Sequence, residues 1–356
     1  MKRFLQIHML TSYPPSNLNR DDLGRPKTAV VGGTNRLRIS SQSLKRAWRT
    51  STVFQESLGT IDINGGLAIR SKRFGEEVYN KLIVGGIKEK DATDWSIKIA
   101  ECFGKPKGKG EHPENLYIEQ LAFISPEEQK AVFELVDILI QAKKNAPTAE
   151  QLKLLKKDNS AADLALFGRM LASEPAFNVE AAAQVAHAFS VQKIVIEDDY
   201  FTAVDDLNKG EEDAGAGHIG ETEFASGIFY AYINIDRELL NENLNSDKKL
   251  TNKAIQSLIK AAATVAPTGK QNSFASRAYA HYILAELGDQ QPRSLSLAFV
   301  KPINDADMLE KSITALEQIR VKLEQAYGKC SDKNEIMNII SGEGSIDSLL
   351  NFCISE

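Results

Sequence analysis

Phe4 to Leu10 alternate. Leu5, Ile7 and Met9 point one way, and Phe4, Gln6, His8 and Leu10 the other. A period of two predicts a strand with one buried face and one mixed face. The stretch TSYPPSNLNRDDLGRPKTAVVGGTN that follows is rich in Pro, Gly, Asn and Asp. It reads as a loop too long to be mere connection. RLRI at 36–39 alternates again, Ser40 and Ser41 offer an N-cap, and QSLKRAWRT reads as a helix with Leu44, Ala47 and Trp48 on its apolar side.

Helical spacing dominates next, near 74–83, 127–142, 148–157, 161–171 and 179–189, with a flexible basic loop at 104–113. Strand signals return at Ala188. FSVQKIVIE alternates, and GIFYAYINID at 227–236 sets Phe229, Ala231, Ile233 and Ile235 against Tyr230, Tyr232 and Asn234. Residues 251–265 form an amphipathic helix striped by Ile255, Leu258, Ile259, Ala262 and Val265. The loop PTGKQNS, strand-like AHYILAEL and SLSLAFV, and helical patterns at 306–328 and 345–353 complete the chain. With the helical stretch set aside, the order is strand, helix, strand, strand, helix, strand. That predicts an α+β fold of the ferredoxin-like, RRM-like kind carrying a large helical insertion. The predicted division is 1–54, an insertion at 55–187, a strand at 188–196, a protruding hairpin at 197–225 and a second sheet part with C-terminal helices at 226–356. Such a fold hosts many functions, so function has to come from a site.

Charge sharpens the picture. The 356 residues carry 43 Lys/Arg and 48 Asp/Glu, a net of −5, which argues against a generic nucleic-acid coat. Residues 1–50 nevertheless hold ten Lys/Arg against two Asp/Glu, while the other 306 hold 33 against 46. Segregation of this kind marks a local anion site. Hydrophobic content of 42% supports a sizeable core. Three distant cysteines, Cys102, Cys330 and Cys353, form no zinc motif and fit a reducing, cytoplasmic setting. The start MKRFLQIHML lacks the features of a signal peptide, and no apolar run is long enough for a membrane span.

In the first helix Gln42, Lys45, Arg46 and Arg49 share one face at helical spacing, with no acidic residue balancing them. A solvated face is the plain alternative. The missing acidic partners favour phosphate binding, helped by free backbone N–H groups at the helix start. Arg36 and Arg38 lead in, and Arg20 and Lys27 precede them. Asp21 and Asp22 raise the option of a Mg²⁺-dependent phosphodiesterase, against a simple turn. His8, His112, His187, His218 and His281 form no ligand motif, so no metal or cofactor is expected. PTGKQNS lacks the context of a P-loop and leaves Lys270 as a backbone phosphate contact. The acidic stretch 197–224 holds Tyr200, Phe201 and Phe224 around a Gly-rich turn. It suits either a hairpin whose aromatic residues wedge between bases or a disordered acidic loop.

LNRDD at 18–22, Lys27, Gly32-Gly33, RISSQSLKRA at 38–47, DLALFGRM at 163–170, AQVAHA at 183–188, DYFTAVDDL at 199–207, HIG with EFASGIFY at 218–230 and GKQ at 269–271 occur in that order. This pattern resembles the CasC family, the backbone subunit of the type I-E CRISPR Cascade surveillance complex. It is dense over 1–50 and 160–235 and thin elsewhere. The resemblance implies a hand: a palm, helical fingers at the insertion and a thumb at the hairpin. It implies a non-enzymatic, RNA-binding protein for antiviral defence. Copies would polymerise in a helical filament along CRISPR guide RNA, beside other Cascade subunits, kinking the guide so that it pairs with target DNA. Carried over, the guide-backbone contacts are Arg20, Lys27, Ser40, Gln42, Lys45, Arg46, Arg49 and Lys270. Arg169 and Met170 join them, with Met170 packing near the kink, and Tyr200 and Phe201 lie in the intercalating thumb. Lys143, Lys144, Lys153, Lys156 and Lys157, and the 104–113 loop, would draw in DNA by charge alone. Related type III backbone subunits cut RNA with an early-loop aspartate, which makes an Asp21/Asp22 ribonuclease the alternative.

Overall fold

A computed structural model of the chain describes residues 1–58, 66–108, 110–143, 145–158, 160–203 and 218–356. The first strand, β1, spans Phe4–Ser16. It is followed by β2 (Thr28–Val31), β3 (Thr34–Ile39), α1 (Ser41–Arg49) and α2 (Thr52–Leu58). Next come β4 (Ile69–Ser71), α3 (Phe74–Val84), α4 (Glu89–Glu101), β5 (Ala122–Ile124), α5 (Pro126–Ala142), α6 (Ala162–Phe167) and β6 (Ala183–Val185). β7 (Ala188–Ser190), β8 (Glu197–Ala203) and the long β9 (His218–Asp236) lead to α7 (Arg237–Asn243), α8 (Lys248–Thr264) and α9 (Gln271–Phe274). β10 (Tyr282–Gly288), α10 (Met308–Tyr327), β11 (Lys333–Asn338) and α11 (Ile346–Cys353) finish the chain. The class is α+β, with mostly antiparallel pairing. Among the described residues no helix is long and apolar enough to cross a membrane.

Two compact units emerge. The first comprises Met1–Phe54, Val185–Ile235 and Gln256–Glu356, and the second Gln55–Gln184 and Asp236–Ile255. In the first, the strands run β11-β10-β1-β9-β7-β3-β2, with β8 pairing on β9. β1 and β10 are antiparallel from Phe4↔Gly288 to Leu10↔Tyr282. One face packs Leu10, Tyr230, Tyr282, Phe299 and Leu316. On the other, Met9, Ile39 and Phe229 meet Leu44 and Trp48 of α1. The mixed face expected of β1 is therefore buried too. Gln6 and His8 are sealed in, and their polar atoms are satisfied internally: Tyr232 Oη and the Arg293 N–H both donate to Gln6 Oε1, at 3.1 and 2.7 Å. The two-residue turn between β2 and β3 is Gly32-Gly33, both at positive φ, as a tight hairpin requires.

In the second unit α3, α4 and α5 enclose Phe74, Val78, Trp95, Ile99, Val132 and Val136. α5 begins with a reciprocal capping box between Ser125 and Glu128, with Pro126 in the first turn.

Several sequence expectations are corrected. The loop after Leu10 is shorter than predicted, because β1 runs on to Ser16 and β2 lies within it. No helix covers 148–157; Thr148 and Gln151 close only a local turn. Residues 161–171 yield the short α6, stopped at Gly168. The alanine-rich 179–189 reads as helix locally, yet β6 and β7 form there, with Phe189 paired to Tyr230, so tertiary pairing overrides propensity. FSVQKIVIE is not one continuous strand: β7 ends at Ser190, the Arg36 guanidinium takes the Ser190 and Val191 carbonyls, and pairing resumes with β8 at Glu197. SLSLAFV is a 3₁₀ turn at Ser296–Phe299, in which Leu295 and Phe299, four apart, are buried and Leu297 points out. The sequence pattern predicts none of α2, α4, α7, β4, β5 and β11, and the short α9 begins inside the PTGKQNS stretch that reads as loop.

Candidate nucleic-acid interface

The site is built on a loop pinned by asparagines. Buried Asn17 donates through Nδ2 to the carbonyls of Gly24 and Glu223, both at 2.9 Å, and Arg25 pairs with Glu223 at 3.0 Å. The loop is thereby fastened to the base of the β8–β9 hairpin. Asn19 works toward α1: its carbonyl accepts from Lys27 N, and its Oδ1 accepts from Ser40 N at 2.9 Å. Asp21 Oδ1 accepts from the N–H groups of Leu23 and Arg25, both at 2.9 Å, so this carboxylate holds the turn. Ser40 is the α1 N-cap and accepts from Ser43 N at 3.3 Å. Gly269 lies so close that a Cβ there would stand 2.4 Å from the Leu18 carbonyl oxygen. The 268–270 turn therefore seats directly on the loop.

Together these segments border a cleft of about 470 Å³, lined by Arg20, Asp21, Asp22, Ser43, Arg46 and Thr268 among others. Arg20, Gln42 and Arg46 are exposed, while Lys27, Lys45, Arg49 and Lys270 are half-buried. α1 has no acidic residue in its first turn, and Arg46 and Arg49 lie in its last. Eight predicted contacts, Arg20, Lys27, Ser40, Gln42, Lys45, Arg46, Arg49 and Lys270, thus stand on α1 and the two loops beside it. Ser40 serves there chiefly as the cap that aims the helix.

Other basic residues are placed differently. Arg36 is fully buried. It donates to Thr34 Oγ1 at 2.9 Å and to the carbonyls of Ser190, Val191, Phe299 and Val300 at 2.7 to 3.2 Å, and burial draws its pKa below the ordinary arginine value. It is a structural bolt, not a surface cation. Arg169 is also buried, with Nη1 at 2.9 and 2.7 Å from the two Glu128 oxygens and Nη2 donating to the Phe177 carbonyl. Its charge is spent inside the second unit, whereas Met170 beside it is 81% exposed. Tyr200 and Phe201 are exposed on β8, with the Phe201 ring lying over Gly220. Residues 204–217 of the hairpin, and Lys144, lie outside the described residues. In the basic loop, Lys105 pairs with Glu119 at 2.8 Å and Lys107 pairs with Glu114. Lys153 pairs with Glu150 at 2.6 Å, while Lys143, Lys156 and Lys157 are exposed. Among the described residues, no three His, Cys, Asp or Glu side chains gather as a metal would need.

Sequence reasoning missed Asn17 and Asn19 as the pins of the loop. It also missed a contact between Arg38 and His187, whose Nη1 and Nδ1 are 3.0 Å apart. Nothing in local spacing joins residues so far apart in sequence.

The family model described as CT1975-like protein matches residues 5–346. The chain belongs to this Cas family. A chain of a solved CRISPR RNA-guided surveillance complex, pre-nicking, is 27% identical with a TM-score of 0.82, covering 98% of this chain and 100% of that one. A chain of a second CRISPR RNA-guided surveillance complex is 25% identical with a TM-score of 0.62, covering 99% and 98%. No curated protein matches.

Proposed function

We propose that this Cas protein is the guide-RNA-binding backbone subunit of a Cascade-type surveillance complex, of the CasC, type I-E kind. It is a scaffold and not an enzyme. Copies line up along the guide, each gripping the phosphate backbone with α1 and the loops beside it. The β8–β9 hairpin reaches between bases with Tyr200 and Phe201, and the segments between kinks are left to pair with target DNA. The observation that carries this reading is the basic face of α1 bordering the cleft with Arg20. Cations and helix N–H groups there can follow a polyanion without reading its bases. The sheet path β10-β1-β9-β7, with α1 and α8 as connecting helices, supports a ferredoxin-like, RRM-like palm. The likeness to chains of RNA-guided complexes supports the choice of RNA as the polyanion.

Asp22 lines the same cleft, so metal-dependent cleavage is the competing outcome, although Asp21 is already engaged in its turn. One experiment separates the two. Lys45→Ala with Arg49→Ala is expected to lower the guide RNA retained by the purified complex while leaving the far-UV circular dichroism unchanged. Labelled target RNA incubated with the intact complex and Mg²⁺ is expected to stay whole. Regularly spaced cuts that vanish in Asp22→Asn would replace the scaffold reading with a ribonuclease.

A further inference from the structure

His187 lies one residue before Ala188, which pairs with Ile39 of β3, so it stands across the strand from Ser40 and the start of α1. Its ring is exposed, and its Nδ1 is 3.0 Å from Arg38 Nη1. A guanidinium only donates, so Nδ1 must be the acceptor, and the ring proton sits on Nε2. Arg38 is steadied by a second bond, from its Nε to the Thr28 carbonyl at 3.3 Å. The charges acting on the ring come from three elements: Arg38 on β3, Lys27 before β2 and Lys45 on α1. Burial and these three cations hold the imidazole below its ordinary value of 6.5. β9, the other neighbour of β7, presents no charged side chain over 229–235. Its tyrosines are bonded elsewhere, Tyr230 to His8 and Tyr232 to Gln6.

An exposed neutral histidine with an arginine resting on it, in the field of two lysines, is arranged to receive an anion. A phosphate at this position would offset the positive field and make the imidazolium favourable. The proton comes from solvent and adds to Nδ1. Nδ1 then donates and can no longer accept from Arg38, so Nη1 is released and turns its N–H to the phosphate. We propose that His187, Arg38, Lys27 and Lys45 form a phosphate subsite for the nucleic-acid backbone, one that binds more tightly when His187 carries a proton. The proposal rests on the RNA-binding reading above and adds to it a residue, a hand-over of Arg38 and a direction of pH dependence.

The test is binding of the full chain to a fluorescent oligouridylate, whose bases do not titrate in the range used, at constant ionic strength from about pH 8 to about pH 5.5. Affinity of the unaltered chain is expected to climb toward acid, by up to about tenfold per pH unit for one linked proton. His187→Gln keeps an acceptor for Arg38 but cannot titrate, and is expected to flatten that rise. Parallel profiles for the two proteins would overturn the subsite while leaving RNA binding intact. No binding by either at any pH would sink the underlying reading instead. A second readout is the histidine NMR signal that is lost in His187→Gln. Its titration is expected to move to higher pH when oligouridylate is added, and an unmoved titration would also overturn the proposal.

Discussion

Burying a guanidinium without a carboxylate is costly unless every donor finds an acceptor. Arg36 meets that demand with one hydroxyl and four backbone carbonyls, and in doing so fixes β3 to the segments after β7 and at 299–300. Glu286 meets the opposite problem. His8 Nε2 donates to it at 3.2 Å and Arg293 at 2.6 and 3.0 Å, while Tyr230 closes the other side of His8. Burial pushes the Glu286 carboxyl up, but the bonds from His8 and Arg293 outweigh it and hold its pKa at about 2, against 4.5 ordinarily. A depressed carboxylate lends stability that is fully present above the unfolded value. That stability is lost as pH falls from about 4.5 toward about 2. Glu286→Gln strands the Arg293 charge and is expected to cost about 3 kcal/mol at neutral pH. Its acid limb should be flatter than that of the unaltered chain in urea melts across the same pH range. Equal acid limbs would show that Glu286 is not the titrating group. Neither residue was legible in the sequence. Arg36 looks like any cation of a basic stretch, and His8 and Glu286 sit 278 positions apart. What burial does to a charge depends on partners that only the fold supplies.

At the scale of elements, local chemistry was a good guide wherever it was self-sufficient. α1 carries its own cap, its own apolar side and its own basic face, and it forms as Ser41–Arg49. α5 starts at its capping box, and α10 and α11 follow their apolar spacing. Legibility failed where pairing across the sheet outweighed local preference, as at β6 and β7. It failed also where one motif mixed two roles. GRM is the clearest case: Arg169 is locked on Glu128, the same residue that closes the α5 capping box, while Met170 faces solvent. Arg169→Ala is expected to destabilise the protein by about 3 kcal/mol, by stranding a buried carboxylate. Met170→Ala should leave the denaturation midpoint nearly unmoved. A stable Arg169→Ala that loses RNA would instead return Arg169 to the interface.

At the scale of the whole molecule, charge is distributed by task. Most cations of residues 1–50 that stay at the surface stand on α1 and the loop before β2, with Lys2 and Arg3 at the N-terminus and Arg38 on β3, while β8 opens with Glu197, Asp198 and Asp199, all exposed. Composition alone, at a net of −5, hides this division, and the order of motifs in the sequence named the family that the comparisons bear out. On the proposed function, this basic surface grips an RNA backbone without reading its sequence. The most direct test is the affinity of the full chain for single-stranded RNA across a series of salt concentrations. Log affinity is expected to fall linearly with log salt, with a slope near −0.7 for each phosphate neutralised, or about −4 for roughly six contacts. The slope should be the same for unrelated sequences and shallower by about 0.7 in Arg46→Ala. Binding that ignores salt, or that tracks base sequence while Arg46→Ala changes nothing, would contradict the account.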